Sequence, residues 1–348
     1  MLIKEVAKRL NTTTRTIRFY EEKGLIQPTK RENDYRTFTD EEVMRLSTIL
    51  ALRELGLEIK AIKQLIDGDA YSMYDYLNIQ RERMFERWLE MKDMILTIDR
   101  ILEQHTDDGI SVEDVVALSK HLKNLKTMRK SWSDRWNFDK QAAEYDKSLK
   151  LTGYRFNVHQ DYEVALEKVI STIQLKAGDT CLDIGIGTGN LSSRLLPKGI
   201  KVIGVDQSEK MLEECKRKHP EIDIRKGHFL ALPILDQQVN AIVSSYALHH
   251  INDEQKLLAL EEMDRVLYSN GEICIADLMF HNETHRQEVI CRYRKAGNIE
   301  AVEAIEDEFY ADRSLLVNWF HSHHYEVTTY SFHPFLSMIY AKKGNDIL

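Results

Sequence analysis

Three glycines that follow an acidic residue form the stretch of this chain with the clearest binding chemistry. In the segment 180–191 a short apolar run leads to Asp183, and Gly185, Gly187 and Gly189 alternate behind it. This order predicts a strand, a tight turn and then a helix, marked by the leucines that recur after Gly189. Glycines at such a turn let the backbone approach a nucleotide-like ligand, because they carry no Cβ atom. An acid in the same turn would repel a pyrophosphate but would attract an ammonium group.

The rest of the pattern narrows the choice of ligand. A dinucleotide fingerprint needs a further glycine where Asn190 or Ser192 stands. A second apolar run, 201–205, ends at Asp206, where a carboxylate can accept hydrogen bonds from ribose hydroxyls. A ligand with an amino-acid head and a nucleoside tail would suit both acids, and S-adenosylmethionine is such a ligand. An ordinary α/β nucleotide fold with another ligand is the alternative.

Residues 133–348 resemble the class I S-adenosylmethionine-dependent methyltransferases. The resemblance implies a Rossmann-like seven-stranded fold, with later strands at 222–225, 241–245, 273–277, 326–333 and 335–341. The cofactor-binding residues that it implies are Tyr145, Asp183, Gly185, Gly187, Asp206, Gln207, His228, Phe229 and Ser245. Tyr145 would cover the methionine part of the cofactor. The family usually has an acid at position 228, and a neutral histidine accepts a hydrogen bond there less strongly.

Methyl transfer from a sulfonium centre depends mainly on positioning, because the leaving group is neutral. A base is needed only where the acceptor must lose a proton. His249 is the first candidate because it follows the fourth predicted strand, and His250 and Tyr246 are the alternatives. Each of the three can also be a packing residue. The long insertion 280–311 is the place where such enzymes usually select a small-molecule acceptor.

The N-terminal residues form a small basic head on an acidic chain. The formal net charge is −8, whereas residues 1–36 hold nine Lys and Arg against five Asp and Glu, a balance of +4. Attraction to a polyanion is therefore expected at this end. Two short helices joined by a polar turn, the second at 13–23, predict a helix-turn-helix. Arg15 and Arg18 lie about one turn apart on the second helix and can reach DNA together.

Residues 1–70 resemble the MerR family of transcription regulators, most specifically in the segments 18–25 and 34–36. The resemblance implies a winged helix-turn-helix that binds double-stranded promoter DNA, with bacterial-type RNA polymerase as an indirect partner. The DNA contacts that it implies are Arg15, Arg18 and Tyr20 on the recognition helix and Arg31, Tyr35 and Arg36 on the wing. Asp34 stands where the family usually has glycine. A helical protein-binding module is the alternative.

A long helix is predicted for residues 71–104, because neither proline nor glycine interrupts them. Apolar side chains recur there every seven residues, at Leu77, Met84, Met91 and Ile98. Such a seam needs a partner surface, and MerR-like proteins use a helix here to dimerise, so we expect a homodimer. Packing against the chain's own effector domain is the alternative. Residues 105–132 would then form a helical bridge with an apolar face that begins at Val112.

Composition limits which other classes of protein this chain can belong to. No apolar run approaches a membrane span, and the N-terminus does not resemble a signal peptide, so we expect a cytoplasmic protein with no membrane partner. The four cysteines show no paired spacing, which fits a reducing compartment. Thiolate metal sensing after the dimer helix is excluded, because the first cysteine is Cys181. His321, His323 and His324 are assigned to a helix end, and no metal site is predicted.

Three functions fit these patterns. The leading one is a dimeric MerR-type transcription regulator whose C-terminal domain binds S-adenosylmethionine and methylates or senses a small molecule. The second is an active small-molecule methyltransferase whose head regulates its own promoter. The third is a plain enzyme whose head only dimerises or localises it. The sequence does not decide whether a methyl group is transferred, or to which acceptor.

Overall fold

The computed structural model divides into two compact units, Met1–Arg81 and Glu82–Leu348. The domain limits predicted from the sequence, at 70, 104 and 132, differ from this division and stay predictions. The residues that the structure describes are 1–30, 36–68, 73–104, 111–130, 136–149 and 156–344.

The first unit is a small helical head with a two-stranded wing. Its elements are α1 (Ile3–Arg9), α2 (Thr14–Glu22), β1 (Thr29–Lys30), β2 (Arg36–Thr37), α3 (Asp40–Glu54) and α4 (Ile59–Asp67). Thr13 caps α2, because its hydroxyl accepts a hydrogen bond from the Thr16 amide at 3.0 Å. Thr39 and Glu42 form a capping box at the start of α3. The helices enclose one apolar core that contains Val6, Ile17, Leu25, Leu46, Ile49 and Ile62.

Helix α5 (Met73–Gln104) is a single helix of 32 residues, as the uninterrupted sequence predicts. Its heptad side chains are exposed, with Leu77 at 38%, Met84 at 47% and Met91 at 54%. Leu89, on another face, is only 1% exposed. An exposed apolar seam is the surface that the predicted homodimer would need.

Helix α6 (Val112–Lys130) lies within the bridge predicted at 105–132. The apolar face expected there is not buried, because Val112 and Val116 are 74% and 61% exposed. The later part of the helix does reach a core, where Leu125 and Met128 pack against the second unit's apolar cluster. The start of α6 therefore has no described surface to pack against.

The second unit is an α/β domain built on one mostly parallel sheet. Its strands are β3 (Thr180–Ile184), β4 (Lys201–Asp206), β5 (Asp223–Lys226), β6 (Val239–Ser245), β7 (Leu267–Phe280), β8 (Ala311–Asp312), β9 (Tyr325–His333) and β10 (Leu336–Lys343). Seven of them follow the order β5-β4-β3-β6-β7-β10-β9, and the short β8 pairs with β7. β10 runs antiparallel to both neighbours, and the other neighbours are parallel. This confirms the predicted fold class.

Helices and two apolar clusters cover the sheet. The helices are α7 (Phe138–Gln141), α8 (Tyr145–Ser148), α9 (Tyr162–Thr172), α10 (Glu209–Lys218), α11 (Asp253–Val266), α12 (Glu283–Lys295), α13 (Ile299–Asp307) and α14 (Arg313–Ser322). Successive residues of β3 alternate between the clusters, because Cys181 lies in one and Leu182 in the other. The carboxyl ends of β3, β4 and β6 are thereby held side by side, where a ligand site is expected.

Two local predictions were wrong. The helix expected after Gly189 is replaced by two short 3₁₀ turns, Ser192–Arg194 and Leu196–Lys198. Pro197 prevents continuation, because it has no amide hydrogen to donate. The strand predicted at 273–277 is longer, because Asn270 and Gly271 also lie within β7, where the pairing with β6 shifts register and the strand bulges.

Among the described residues, no helix is both long enough and apolar enough to cross a bilayer.

Candidate functional site

The main cleft opens at the carboxyl ends of β3, β4 and β6 and encloses about 550 Å³ up to its open mouth. Its lining residues are Phe138, Tyr145, Ile184, Gly185, Gly187, Val205, Asp206, Gln207, Met211, Gly227, His228, Phe229, Tyr246, Ala247 and His250. The predicted set Tyr145, Gly185, Gly187, Asp206, Gln207, His228 and Phe229 is thus brought together.

Asp206 is the acid that reaches this cleft, and the backbone holds it in place. One carboxylate oxygen accepts a hydrogen bond from the Gly187 amide at 2.9 Å, and the other accepts one from the Ser208 amide at 2.9 Å. Gly187 has a φ of +54°, and a Cβ atom added there would meet nothing within 4 Å. The glycine therefore permits the left-handed backbone and leaves the cleft open beside Asp206. The arrangement suits a ligand that carries ribose hydroxyls.

Gly185 is needed because another part of the chain lies very close to it. Its φ is +73°, and a Cβ atom there would lie 2.4 Å from the Ala247 Cβ. The turn after β3 can therefore lie against the residues that follow β6 only with glycine at this position.

Asp183 does not line the main cleft, contrary to the expectation that it meets an ammonium group. Its side chain is 1% exposed, and one carboxylate oxygen accepts a 2.7 Å hydrogen bond from the Ser192 hydroxyl. Burial raises the pKa of Asp183 to about 7, and the charge of Asp206 acts in the same direction. Ser245 ends β6 but is also absent from the lining. Neither side chain is therefore among those that the main cleft brings together.

His228 stands where the family usually has an acid, and the structure keeps it neutral. Burial lowers the pKa of His228 to about 4, and the nearby Arg129 guanidinium also lowers it. The Leu230 amide donates a 3.3 Å hydrogen bond to His228 Nδ1. Phe229 is 5% exposed and adds an aromatic surface to the same side of the cleft.

The segment 136–149 borders the cleft through Phe138 and Tyr145. Two aspartates tie this segment to the rest of the site. Asp139 accepts a 2.6 Å hydrogen bond from the Ser208 hydroxyl at the start of α10. Asp146 accepts hydrogen bonds from the Thr188 hydroxyl at 2.6 Å and the Asn190 amide nitrogen at 3.1 Å.

The sequence prediction missed both aspartate contacts. Each joins side chains that lie far apart in the chain, 69 residues for Asp139 and Ser208 and 42 for Asp146 and Thr188. Their nearness in sequence to Tyr145, which was expected to cover the cofactor, was the one available signal. They now explain how that segment is positioned over the cleft.

The three candidate bases lie in different places. Tyr246 and His250 line the main cleft, whereas His249 lies behind it and is 5% exposed. His249 Nδ1 is 2.5 Å from an Asp277 oxygen, and its Nε2 is 3.8 Å from a Glu308 oxygen. Asp277 is fixed in turn by the backbone amides of residues 247, 248 and 278. The residue first chosen from the sequence therefore does not face the cleft.

The two histidines also differ in charge. Burial lowers the pKa of His249, but the carboxylates of Asp277 and Glu308 outweigh it and raise the pKa overall. Burial holds the pKa of His250 well below its usual range, and the charge of His249 acts in the same direction. Ligand atoms of His249, His250 and Glu308 lie within 4.8 Å of one another, a spacing that could also suit a metal ion. We interpret the group as a protonated His249 between two carboxylates, beside a neutral His250.

In the head, helix α2, the predicted recognition helix, presents its arginines to the outside. Arg15 and Arg18 are exposed, as a contact with DNA requires. Tyr20 is 5% exposed and packs in the head core, so its ring does not offer the surface expected of a DNA contact. Arg36 donates a 2.6 Å hydrogen bond from Nε to Glu21 and so ties the wing to α2. Arg31 and Tyr35 lie outside the described residues.

Known protein families match both units. A family described as MerR HTH family regulatory protein matches residues 1–69, and a methyltransferase domain family matches residues 181–271. An uncharacterized methyltransferase of Alkaliphilus oremlandii is 35% identical over 208 residues, 60% of this chain and 96% of that relative. One from Oceanobacillus iheyensis is 34% identical over 207 residues, 59% of this chain and 95% of that relative.

Solved structures resemble the same portion. The DhpI–SAH complex is 16% identical and covers 60% of this chain and 94% of its own, with a TM-score of 0.43. A SAM-dependent methyltransferase from Aquifex aeolicus is 18% identical and covers 55% of this chain and all of its own, with a TM-score of 0.39. At these scores the likeness carries no weight for function. The family match supports S-adenosylmethionine as the cofactor, and the glycine turn and Asp206 fit it. The chain belongs to the methyltransferase family of these relatives, and it carries a MerR helix-turn-helix domain at its N-terminus.

Proposed function

We propose that this protein is a MerR-type DNA-binding transcription regulator whose C-terminal domain binds S-adenosylmethionine and methylates or senses a small molecule. The observation that carries the proposal is the Asp206 carboxylate, fixed by two backbone amides at the edge of an open cleft. The exposed arginines Arg15 and Arg18 of α2 in the same chain support the regulatory part.

The cleft residues suggest how the cofactor would be held. Asp206 would accept hydrogen bonds from the ribose hydroxyls, and Gln207, His228 and Phe229 would surround the adenine. Tyr145 would cover the methionine part. When bound, S-adenosylmethionine supplies an electrophilic methyl group. The protein's own contribution is then to exclude water and to align an acceptor, which is most of what such a transfer needs.

The DNA-binding part of the proposal concerns α2 and α5. Exposed Arg15 and Arg18 can contact bases or phosphates in a major groove. A homodimer formed through the exposed seam of α5 would present two recognition helices to one palindromic promoter site. RNA polymerase would then be engaged indirectly, through the shape that the bound promoter adopts.

The residues that two clefts share support communication between a bound ligand and helix α5. Gln207 and His228 line both the main cleft and a second, rear cleft, which is also bordered by Glu82 and Glu86 of α5 and Lys126 and Lys130 of α6. Lys226, also in the rear cleft, is 2.6 Å from Glu209 and 3.8 Å from Glu82. A ligand that shifts these shared residues would therefore act on the contacts of α5.

An active methyltransferase whose head only autoregulates or dimerises is the second candidate. It is favoured by the position of Tyr246 and His250, which face the cleft where an acceptor would lie. The two candidates differ in whether ligand changes DNA binding.

Calorimetry with S-adenosylmethionine tests the cofactor binding that both candidate functions require. Asp206→Ala should weaken binding by roughly one to two decades, because the ribose hydroxyls would lose their acceptor and stay unpaired in the complex, which costs about 1–3 kcal/mol. Asp223→Ala is the matched control, since Asp223 begins the neighbouring strand and pairs with Arg225 away from the cleft. Equal affinity in the Asp206→Ala variant would place the cofactor elsewhere.

Footprinting on the chain's own upstream region separates the two candidates. We expect cofactor, acceptor or both to change operator affinity by a coupling of about 1–3 kcal/mol, with an equal and reciprocal effect of DNA on ligand affinity. Acceptor is the better switch, because S-adenosylmethionine is constantly present in cells. Identical footprints and affinities in every combination would reject the regulator and leave the enzyme.

A further inference from the structure

Two histidines and a glutamate converge between the main cleft and a neighbouring cleft. Ligand atoms of His249, His250 and Glu308 lie within 4.8 Å of one another, and the described part of the chain holds no other group of this kind. His250 borders the main cleft, whereas Glu308 borders the neighbouring cleft together with Phe280 and Tyr310. We call these three side chains the histidine–glutamate group. It therefore lies where two clefts adjoin.

The ring of His249 is oriented as that of a metal ligand would be. Its Nδ1 lies 2.5 Å from an oxygen of Asp277, and because a carboxylate oxygen can only accept, Nδ1 donates this hydrogen bond. In the neutral ring, Nε2 then keeps its lone pair, and it lies 3.8 Å from an oxygen of Glu308. Metal-bound histidines usually have such a carboxylate behind them, which fixes the tautomer and raises the basicity of the ring.

His250 adds a ring nitrogen that lacks a partner. His250 Nδ1 is buried and has no hydrogen-bond partner among the residues that the structure describes. Such a nitrogen normally has one, because losing water without replacement costs free energy. The ring packs 4.4 Å from that of Trp136 and 4.9 Å from that of Phe138, so turning it toward water would break these contacts. A cation held between the three side chains could supply the missing partner.

Backbone hydrogen bonds hold the group together. The two histidines are consecutive in the 3₁₀ turn Leu248–His250, and the carboxylate of Asp277 accepts hydrogen bonds from the amides of residues 247 and 248. The amide of Phe309 donates to the carbonyl of His249 at 3.0 Å, which fixes the segment that carries Glu308. The three side chains are therefore placed by the fold before any ligand binds.

The charges around the group favour a dication. Asp277 and Glu308 flank His249. Asp253 borders the same cleft as Glu308 and pairs at 3.0 Å with the buried ammonium group of Lys256. Three carboxylates thus face one ammonium group, and the two negative charges left over would be neutralised by a divalent cation. Without a cation, a proton on His249 offsets only one of them.

Although the sequence alone predicted no metal site, we propose that His249, His250 and Glu308 bind a divalent transition-metal ion of the zinc class, with Asp277 as the partner that orients His249. Two imidazoles and one carboxylate suit Zn²⁺ or Co²⁺, whereas Mg²⁺ and Ca²⁺ prefer oxygen ligands. The bound ion replaces the proton of His249. Three protein ligands leave a coordination position open, and it lies beside the main cleft that His250 borders. The proposal does not depend on binding of S-adenosylmethionine.

Cobalt binding by the full chain tests the proposal. The purified chain is treated with a chelator and titrated with Co²⁺, whose visible absorption changes when imidazole nitrogens coordinate it. We expect one tightly bound Co²⁺ per chain, displaced by Zn²⁺ but not by excess Mg²⁺. We also expect Zn²⁺ to raise the melting temperature, because it binds the folded chain. A chain that binds no Co²⁺, or from which Mg²⁺ displaces it as readily as Zn²⁺ does, would overturn the proposal.

Two variants remove one ligand each. Glu308→Gln keeps the shape of a partly buried side chain, and His250→Phe keeps an aromatic ring against Trp136. We expect each to weaken Co²⁺ binding by about a hundredfold or more, because loss of an outer partner alone typically costs about 10–100-fold. Glu306→Gln is the matched control, since Glu306 borders the same cleft as Glu308 but pairs with Arg294. It should bind Co²⁺ as the natural chain does.

Exposed histidines are the other place where Co²⁺ could bind. His321, His323 and His324 are exposed at the end of α14, so His323→Ala serves as a second control and should keep the tightly bound ion. Melting without metal shows that each variant is folded before its affinity is compared. Equal Co²⁺ affinity in the natural chain, Glu308→Gln and His250→Phe would assign the ion to surface histidines and overturn the proposal.

Discussion

Replacing Asp183 by asparagine tests how this buried acid affects folding. Asp183 has an ordinary pKa of 3.8, which burial raises to about 7 in the folded chain. The unfolded chain thus loses this proton at a lower pH than the folded chain. The stability associated with Asp183 is complete below the unfolded pKa and is lost as the pH rises through about 7. An asparagine side chain does not titrate, so the Asp183→Asn variant should escape that loss.

The size of the effect follows from the two pKa values. They differ by about three units, and each unit is worth about 1.4 kcal/mol, so the natural chain loses up to about 4 kcal/mol above pH 7. Between about pH 5.5 and about pH 8.5 the advantage of the Asp183→Asn variant should grow by about 2 kcal/mol. Asparagine can still accept the hydrogen bond from the Ser192 hydroxyl, so local packing is retained.

Urea unfolding followed by tryptophan fluorescence measures the difference in stability between the variant and the natural chain for the second unit, which contains Asp183. All four tryptophans lie beyond residue 81, so the signal reports the second unit alone. Asp223→Asn, at a half-exposed acid of β5, is the control. An advantage of the same size at both pH values, or no advantage at all, would refute the reasoning that Asp183 is a buried acid of raised pKa.

Two further predictions concern the segment over the cleft and the head. Asp146→Asn removes the charge that Lys218 and the Thr188 hydroxyl contact, so S-adenosylmethionine should dissociate several-fold faster. Stopped-flow fluorescence measures this dissociation rate. Glu144→Gln, at an exposed neighbour, is the control and should not change the rate. Arg18→Ala should weaken binding to the upstream region in an anisotropy titration without lowering the melting temperature, because Arg18 is exposed. Unchanged operator affinity would show that α2 is not the recognition helix.

The parts of the site that the sequence predicted are those fixed by local geometry. Gly185, Gly187 and Asp206 follow strand ends, and strand ends in a parallel sheet meet at one edge. The direction of His249 and His250 could not be read in this way. It depends on a short 3₁₀ turn, Leu248–His250, and on the carboxylate of Asp277, which lies 28 residues away in the chain.

The same limit explains the other differences. Successive side chains of β3 point to opposite faces of the sheet, but this alternation does not tell whether the Asp183 side chain reaches the cleft. Its carboxylate instead accepts a hydrogen bond from Ser192 in the following segment. The helix expected after Gly189 fails for a reason that the sequence did contain, since Pro197 stands within it. The partners of Asp139 and Asp146 are tertiary contacts, which residue spacing does not encode.

The contacts around β5 give the proposed regulation a physical form. Lys226 lies between Glu209, at the start of α10, and Glu82 of α5. The pKa of Glu82 is raised by burial, although Lys226 opposes this, so the acid is partly desolvated. The interaction energy of a partly desolvated ion pair depends strongly on the distance between the two charges, because fewer water molecules screen them than at an open surface.

A second set of contacts connects the adenine side of the cleft with both long helices. The guanidinium of Arg129 in α6 donates to the Leu230 carbonyl and pairs with Asp93 of α5 at 3.3 Å. Leu230 closely follows His228, which lines both clefts. Under the proposed regulation, a ligand that moves the 228–230 turn would act on Arg129, and through Asp93 on the helix that carries the exposed seam. Because α5 is continuous from Met73 to Gln104, a shift at Asp93 can pass along the helix backbone to its first turns.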